Sequence, residues 1–359
     1  MTARAGGPAP SVLFVLPDFH TNVHAATRAL VEAGMRVSVF TPHPGRPETH
    51  DFVVPQVFAG VPDRQELAQA LDRARPDLML VRNSGDLSRA IYGLARRRGI
   101  RVIGYDLKPL TQLRSVKDHL RLVVLGRPRW RVTPVRGLDR AAPQDRCAIY
   151  LPWPVRADPS ALPRPPETAV LRVLCVAKLA QPRKNQPRLI EALRAAGQAG
   201  RVHLTLVGSR TLKASHADPA QLAWLEREAA SHDWITLLSD VPFRRMPQIY
   251  AAHDVCVLPS VQEPLGTSPL EAMAYGTVPV ISTDAGSAGV LTEGQDGLRV
   301  DMSDPGDLPA VMQRLLDDRA LVRRLSAGAR ATAGTDLSPE IFVARMRGLL
   351  ASRGRGILR

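Results

Sequence analysis

With 359 residues, 45% hydrophobic and 23% charged, the chain is too long for one ordinary compact core and too apolar to be mostly disordered; two α/β domains fit its length. Its three cysteines, Cys147, Cys175 and Cys256, are widely spaced, which excludes a disulfide framework and a metal-ligand spacing and suits a reducing compartment. The net charge of +14 is uneven: residues 1–150 hold 23 Lys and Arg against 13 Asp and Glu, so the first half suits an anionic partner such as a phosphate, an acidic membrane or nucleic acid, unless the excess reflects only an arginine-rich composition.

Residues 1–10 read as a flexible leader without the apolar core of a signal peptide, and no apolar run reaches bilayer length, so a cytoplasmic protein is expected. SVLFVLP (11–17) is a short apolar run of buried-strand type. Residues 22–34 follow with helical spacing and a closing glycine, then a strand at 35–41. A strand at 77–81, a helix at 86–99 and a strand at 101–106 repeat the unit. Prolines 152, 154, 159, 163, 165 and 166 forbid regular structure over 151–168, which is predicted as a linker. Beyond it the alternation resumes: strands at 170–178, 202–208, 234–238, 254–259 and 278–282, with helices at 185–198, 217–231, 247–252 and 305–317. Such alternation predicts an α/β fold of two Rossmann-like, doubly wound domains facing across a cleft. The expected divisions are an N-terminal acceptor-side domain at 11–150, the linker, a nucleotide-sugar domain at 169–335, and a C-terminal helix at 336–359 that packs back on the first domain.

The informative stretch is 254–284, DVCVLPSVQEPLGTSPLEAMAYGTVPVISTD. Asp254–Leu258 reads as a strand ended by Pro259 and Ser260. Gly266 permits a sharp turn. Ser268, Pro269 and Glu271 have the pattern of a helix start, with Ser268 as N-cap and Glu271 closing a capping box. A glycine-bearing loop thus feeds a helix N-terminus at the carboxyl end of a strand, where free N–H groups suit a diphosphate. Glu263 and Glu271 flank the loop, and a carboxylate accepts from two vicinal hydroxyls, as on a ribose or hexose. Glu271 reads equally well as a capping residue that needs no ligand.

The string from Pro259 to Val280, PSxxEPxGxxxLEAMAxGxxPV, resembles glycosyltransferase family 4, retaining enzymes of the two-domain GT-B architecture. VAKLAQPRKN (176–185), HLTLVGS (203–209), residues 235–255 and DGLRV (296–300) resemble further segments of that family in the same order. The resemblance covers roughly residues 170–335 and implies a metal-independent glycosyltransferase that uses a nucleoside-diphosphate sugar, UDP- or GDP-linked, with no prosthetic group. Glu271 would hold the ribose hydroxyls and Glu263 would contact the transferred sugar. Leu265, Gly266, Thr267 and Ser268 would bind the donor, the first three through backbone amides. Lys178 and Lys184 would neutralise the leaving diphosphate, where fixed cations lower the barrier. The acceptor implied is a glycan or lipid-linked hydroxyl in cell-surface glycan biosynthesis, with no nucleic acid as partner.

Departures from the family pattern fall mainly in the first half. Lys178 stands where arginine is common, and Asn185 follows Lys184 where glycine is usual. PDFHTNVH (17–24) replaces a glycine pair, and Arg82-Asn83-Ser84 stands where many members carry a histidine. His20, Asn22 and His24, between the first strand and its helix, are weak candidates for lining the cleft, as are Asn83 and Asp106; each reads also as a capping or solvent-facing residue. Residues 108–146 carry ten Lys and Arg, with Val124, Leu125 and Trp130 interleaved, and suit an anionic membrane or a phosphorylated lipid acceptor as well as a plain solvated loop. An epimerase or phosphorylase on the same fold, or a non-catalytic basic binding subunit, are the rival readings.

Overall fold

The computed structural model describes residues 8–19, 21–43, 52–158, 165–210 and 217–352. They divide into two compact units. The first comprises the chain up to Pro134, Ala141–Pro154 and the segment from Ser338 on; the second comprises Val135–Arg140 and Val155–Leu337.

The first unit runs β1 (Ser11–Val15), α1 (Thr21–Glu32), β2 (Arg36–Thr41), β3 (Gln56–Val57), α2 (Arg64–Ala74), β4 (Leu78–Arg82), α3 (Gly85–Arg97), β5 (Val102–Tyr105), α4 (Val116–Val124), β6 (Arg131–Thr133) and β7 (Ala148–Tyr150). The seven strands pair in parallel in the order β3-β2-β1-β4-β5-β6-β7. Continuous apolar strands are what a parallel sheet covered on both faces demands, and all five residues of β1 are buried. Leu13, Phe40, Met79 and Val81 pack with Leu67 and Leu71 of α2 and Leu87 and Ile91 of α3. The sequence patterns do not mark α2, although Asp63 caps it by accepting from the amides of Gln65 and Glu66.

The second unit runs β8 (Leu171–Val176), a 3-10 turn (Pro182–Lys184), α5 (Gln186–Gln198), β9 (Val202–Gly208), α6 (Pro219–Ser231), β10 (Ile235–Ser239), a second 3-10 turn (Phe243–Arg245), α7 (Met246–Ala251), β11 (Val255–Leu258), α8 (Ser268–Met273), β12 (Val278–Ser282), a third 3-10 segment (Gly286–Val290), β13 (Leu298–Val300), α9 (Asp307–Asp317) and α10 (Arg319–Gly334). Its parallel sheet has the order β10-β9-β8-β11-β12-β13. The chain leaves β8 toward β9 on one side and later returns to β11 on the other. The loops after β8 and β11 therefore diverge, which opens a crevice at the carboxyl ends of these two strands.

The last helix, α11 (Pro339–Ala351), belongs to the first unit. Phe342 packs on Trp153 with ring centroids 6.0 Å apart, and Arg101 donates to the carbonyl of Leu349 and to Ser352 Oγ. The start of the proline-rich stretch is not free chain: Leu151, Trp153 and Val155 are buried, and the Val155 amide donates to Leu337 O at 2.8 Å. Apolar residues alternate with the prolines there, so backbone without regular structure still packs. Residues 159–164 of that stretch lie outside the described residues.

Candidate functional site

The crevice of the second unit is built from the two loops at its switch point. After β8 the chain passes so close to the end of β9 that a Cβ on Gly208 would stand 1.8 Å from Ala177 O; only glycine fits. Lys178 follows and is exposed, its side chain in no ion pair among the described residues. The 3-10 turn then carries Arg183 and Lys184 and ends on Asn185, whose φ of 62° is left-handed. Asparagine is the residue that tolerates this conformation best after glycine, so a lysine-asparagine pair preserves a lysine-glycine turn.

After β11, Gln262 takes a left-handed φ of 51° and Gly266 one of 76°. A Cβ at Gly266 would lie 2.3 Å from Leu258 Cδ2, so any other residue at this turn meets both a strained φ and a side chain that must shift. The loop is fastened to the segment after β12: Glu263 N donates to Asp284 O, Gly286 N to Glu263 O and Ser287 N to Leu265 O. The amides of Leu265, Gly266 and Thr267 donate to no backbone carbonyl among the described residues.

These two loops bring the predicted cation and carboxylate together. Glu263, 9% exposed, accepts from Lys184 Nζ and, at 2.8 Å, from an Arg183 guanidinium nitrogen through the same oxygen. Burial lowers the Lys184 pKa below the usual lysine value, with Glu263 opposing the shift. Arg183 had no place in the sequence-based site. Its signal was adjacency alone, since it lies beside Lys184 in the same turn. The paired cations of this crevice are thus Arg183 and Lys184, with Lys178 at its exposed margin.

Glu271 lies on α8, but the predicted capping box does not form. Thr267 is the N-cap, and the Ser268 hydroxyl instead donates to Val176 O at 3.0 Å, tying α8 to the end of β8. With Ser268 so engaged, Glu271 is released from capping and accepts from Tyr250 Oη at 2.7 Å. Desolvation raises the Glu271 pKa above the ordinary carboxyl value, against opposing hydrogen bonds from Tyr250 and Thr267. Tyr250 is itself buried, its pKa pushed well up, and it stacks at 5.9 Å on Tyr275, whose hydroxyl accepts from the Asp158 amide. Tyr250 is a second residue that spacing did not expose. It lies 21 positions from Glu271 and reaches it only through α7.

In the first unit the weaker candidates disperse. His20 lies outside the described residues, as does the side chain of Asn22. Because α1 begins at Thr21, Asn22 and His24 are helical rather than loop residues; His24 is buried edge-on to Phe52. Asn83 accepts from the Tyr92 hydroxyl, and Arg82 lies over the Tyr105 ring at 5.0 Å. Asp106 accepts from Arg131 at 2.8 Å and from the Lys108 amide. The basic segment 108–146 is not one solvated face. Arg131 is buried, Arg114 is paired with Asp145 at 3.4 Å, and Arg140 donates to Val290 O and Leu291 O. His119, Asp145 and Cys147 place ligand atoms within 4.8 Å of one another, but both Arg114 and Arg131 already claim Asp145, which disfavours adding a metal cation.

Residues 171–318 match the model of the family described as Glycosyl transferases group 1. The D-inositol 3-phosphate glycosyltransferase of Geodermatophilus obscurus is 33% identical over 208 residues, which is 56% of this chain and 43% of that protein. The lipopolysaccharide core biosynthesis glycosyltransferase LpsD of Rhizobium meliloti is 40% identical over 88 residues, 24% of this chain and 26% of that protein. The chain thus spans less than half the length of these curated relatives. Among solved structures, a glycosyltransferase from Rickettsia africae superposes with a TM-score of 0.75 at 11% identity, covering 95% of this chain and 98% of that one. Anabaena HepE in complex with UDP and glucose gives a TM-score of 0.71 at 16% identity, covering 96% and 100%. The two parallel-sheet units are thus alike in fold to these solved structures, and the segment that matches the Glycosyl transferases group 1 model, residues 171–318, holds both loops of the crevice.

Proposed function

We propose that the protein is a retaining glycosyltransferase that moves a sugar from a UDP- or GDP-linked donor to a hydroxyl of a saccharide or lipid-linked acceptor in cell-surface glycan biosynthesis. One observation carries this reading: Arg183 and Lys184 converge on Glu263 beside the Gly266 turn, at the switch point where an α/β sheet takes its ligand. UDP and glucose, the ligands of the HepE complex, and the names of LpsD and the inositol 3-phosphate enzymes are consistent with it.

Under this reading Glu271, oriented by Tyr250, accepts from the ribose hydroxyls. The diphosphate lies against the Leu265–Thr267 amides and the cations Arg183 and Lys184, with Lys178 at the rim. Glu263 turns from these cations toward the transferred sugar. The anomeric carbon–oxygen bond breaks, its electron pair goes to the β-phosphate oxygen, and the acceptor oxygen bonds to the same face of the sugar. The acceptor proton passes to the leaving phosphate. Positive side chains preplaced where the oxygen gains charge supply the stabilisation that a metal ion would otherwise give, so no metal is required.

The test is a thermal-shift panel of UDP, GDP, ADP and their sugar conjugates, with chelator present, on wild type and Glu271→Ala. A ligand at about 100 times its dissociation constant adds about 2.7 kcal/mol of stability. The expected result is one nucleotide that stabilises wild type and not the variant. If no nucleotide shifts either folded protein, the reading fails and a non-catalytic binding subunit replaces it.

A further inference from the structure

α4 is amphipathic in the wrong sense for a helix that packs on its own domain. It has nine residues, and none is buried. Val116, Leu120, Val123 and Val124 recur at helical spacing along one stripe, and they are 78%, 62%, 70% and 84% exposed. Leu113, 58% exposed, precedes the stripe, and Leu125, 49% exposed, follows the helix. His119 and Leu122 are the less exposed residues of the helix. Lys117 and Arg121 stand one turn apart beside the stripe, and the exposed Arg129 follows it. The lone acid of the helix, Asp118, is spent in the capping box with Ser115.

An outward apolar stripe flanked by cations fits the boundary between anionic headgroups and acyl chains: the valines and leucines enter the apolar layer while lysine and arginine meet phosphates. A second copy of this chain fits poorly, because a two-fold contact through this face would bring Lys117 and Arg121 against their like in a protein already at +14. We propose that α4 docks this protein on an anionic lipid surface. The proposal deepens the proposed function, on which it rests only for the consequence that a lipid-linked acceptor is met at that surface.

The test is co-sedimentation of the full chain with vesicles of phosphatidylcholine alone and of an equimolar mixture with phosphatidylglycerol, at low and high salt. Wild type should sediment with the anionic vesicles only, less at high salt. Leu120→Glu/Val123→Glu should abolish this. Lys117→Gln/Arg121→Gln should weaken it about 25-fold, at about fivefold for each cation. All three proteins should melt alike, since no buried side chain is changed. Docking by α4 is overturned if wild type ignores anionic vesicles at low salt, or if the variants bind them as wild type does. It is also overturned if wild type self-associates in sedimentation and Leu120→Glu/Val123→Glu restores the monomer. The nucleotide thermal shift separates the two ideas: a shift without vesicle binding sinks the docking alone, and vesicle binding without a shift sinks the donor site alone.

Discussion

Each unit holds a buried cation, Arg131 in the first and Lys184 in the second, and the two are furnished differently. In the first unit Arg131, 2% exposed, donates to Asp145 at 3.1 Å, to Asp106, and to the carbonyls of Lys108 and Pro109, each at 2.8 Å. Four of its five donors are spoken for, and it pins β6 to the segment after β5. In the second unit two cations share one oxygen of one carboxylate. Lysine has three N–H donors and arginine five, so most of theirs remain for another acceptor. A cation held on nearly all its donors by its own fold is architecture, whereas Lys184 and Arg183, which meet one shared carboxylate oxygen and, for Arg183, Gln262 O at 3.3 Å, keep most of their donors for an anion from outside.

The largest effect expected from this contrast is on stability. Arg131→Ala leaves the buried Asp145 to the Arg114 cation and frees Asp106 and two carbonyls at once, and should cost about 3 kcal/mol in denaturant unfolding, while the nucleotide shift of the second unit persists at lower temperature. A variant as stable as wild type would remove the architectural half of the comparison. Lys184→Ala should reverse the pattern, with transfer slowed about 10²–10³-fold and melting little changed, because Glu263 keeps Arg183. Unchanged kcat/KM would end the comparison from the other side.

Smaller effects sharpen it. Glu271 accepts from two hydroxyls only as the carboxylate, which fills as pH rises through a pKa held above the usual value. Nucleotide affinity should therefore fall on acidification earlier than an ordinary glutamate would dictate, and Glu271→Gln should flatten that limb. Tyr250→Phe removes a hydrogen bond that lowers this pKa, so the acid limb should move to higher pH and affinity should drop about tenfold or less. At the alkaline end Lys184 binds a diphosphate only while protonated. Because burial lowers its pKa, kcat/KM should decline below the pH of an ordinary lysine.

The second unit is the more legible in sequence. Its strands are long apolar runs, and the Pro259–Val280 string marks loop, turn and helix at once. What escapes is contact across the sheet. Arg183 and Tyr250 matter through partners 80 and 21 positions away, and no local periodicity records such pairs. The capping pattern at Ser268–Glu271 misleads because tertiary partners outcompete a local one: Val176 O takes the serine and Tyr250 takes the glutamate. In the first unit β3, β6 and β7 have only two or three residues each, too few to show a period. The basic density of 108–146 reads as one surface because composition cannot tell Arg131, wholly enclosed, from Arg121, wholly outside.

In the proposed reaction, Glu263 would also bear on the departure of the product. Were Arg183 and Lys184 matched by the donor alone, release of the nucleoside diphosphate would leave bare charges in a partly desolvated crevice, and the product would be retained by the very force that drew the substrate. Under the proposed donor binding, Glu263, which pairs with both cations in the structure, would take over the neutralising role as the product departs. Release then becomes an exchange of one anion for another, and turnover need not be limited by the strength of the grip on phosphate.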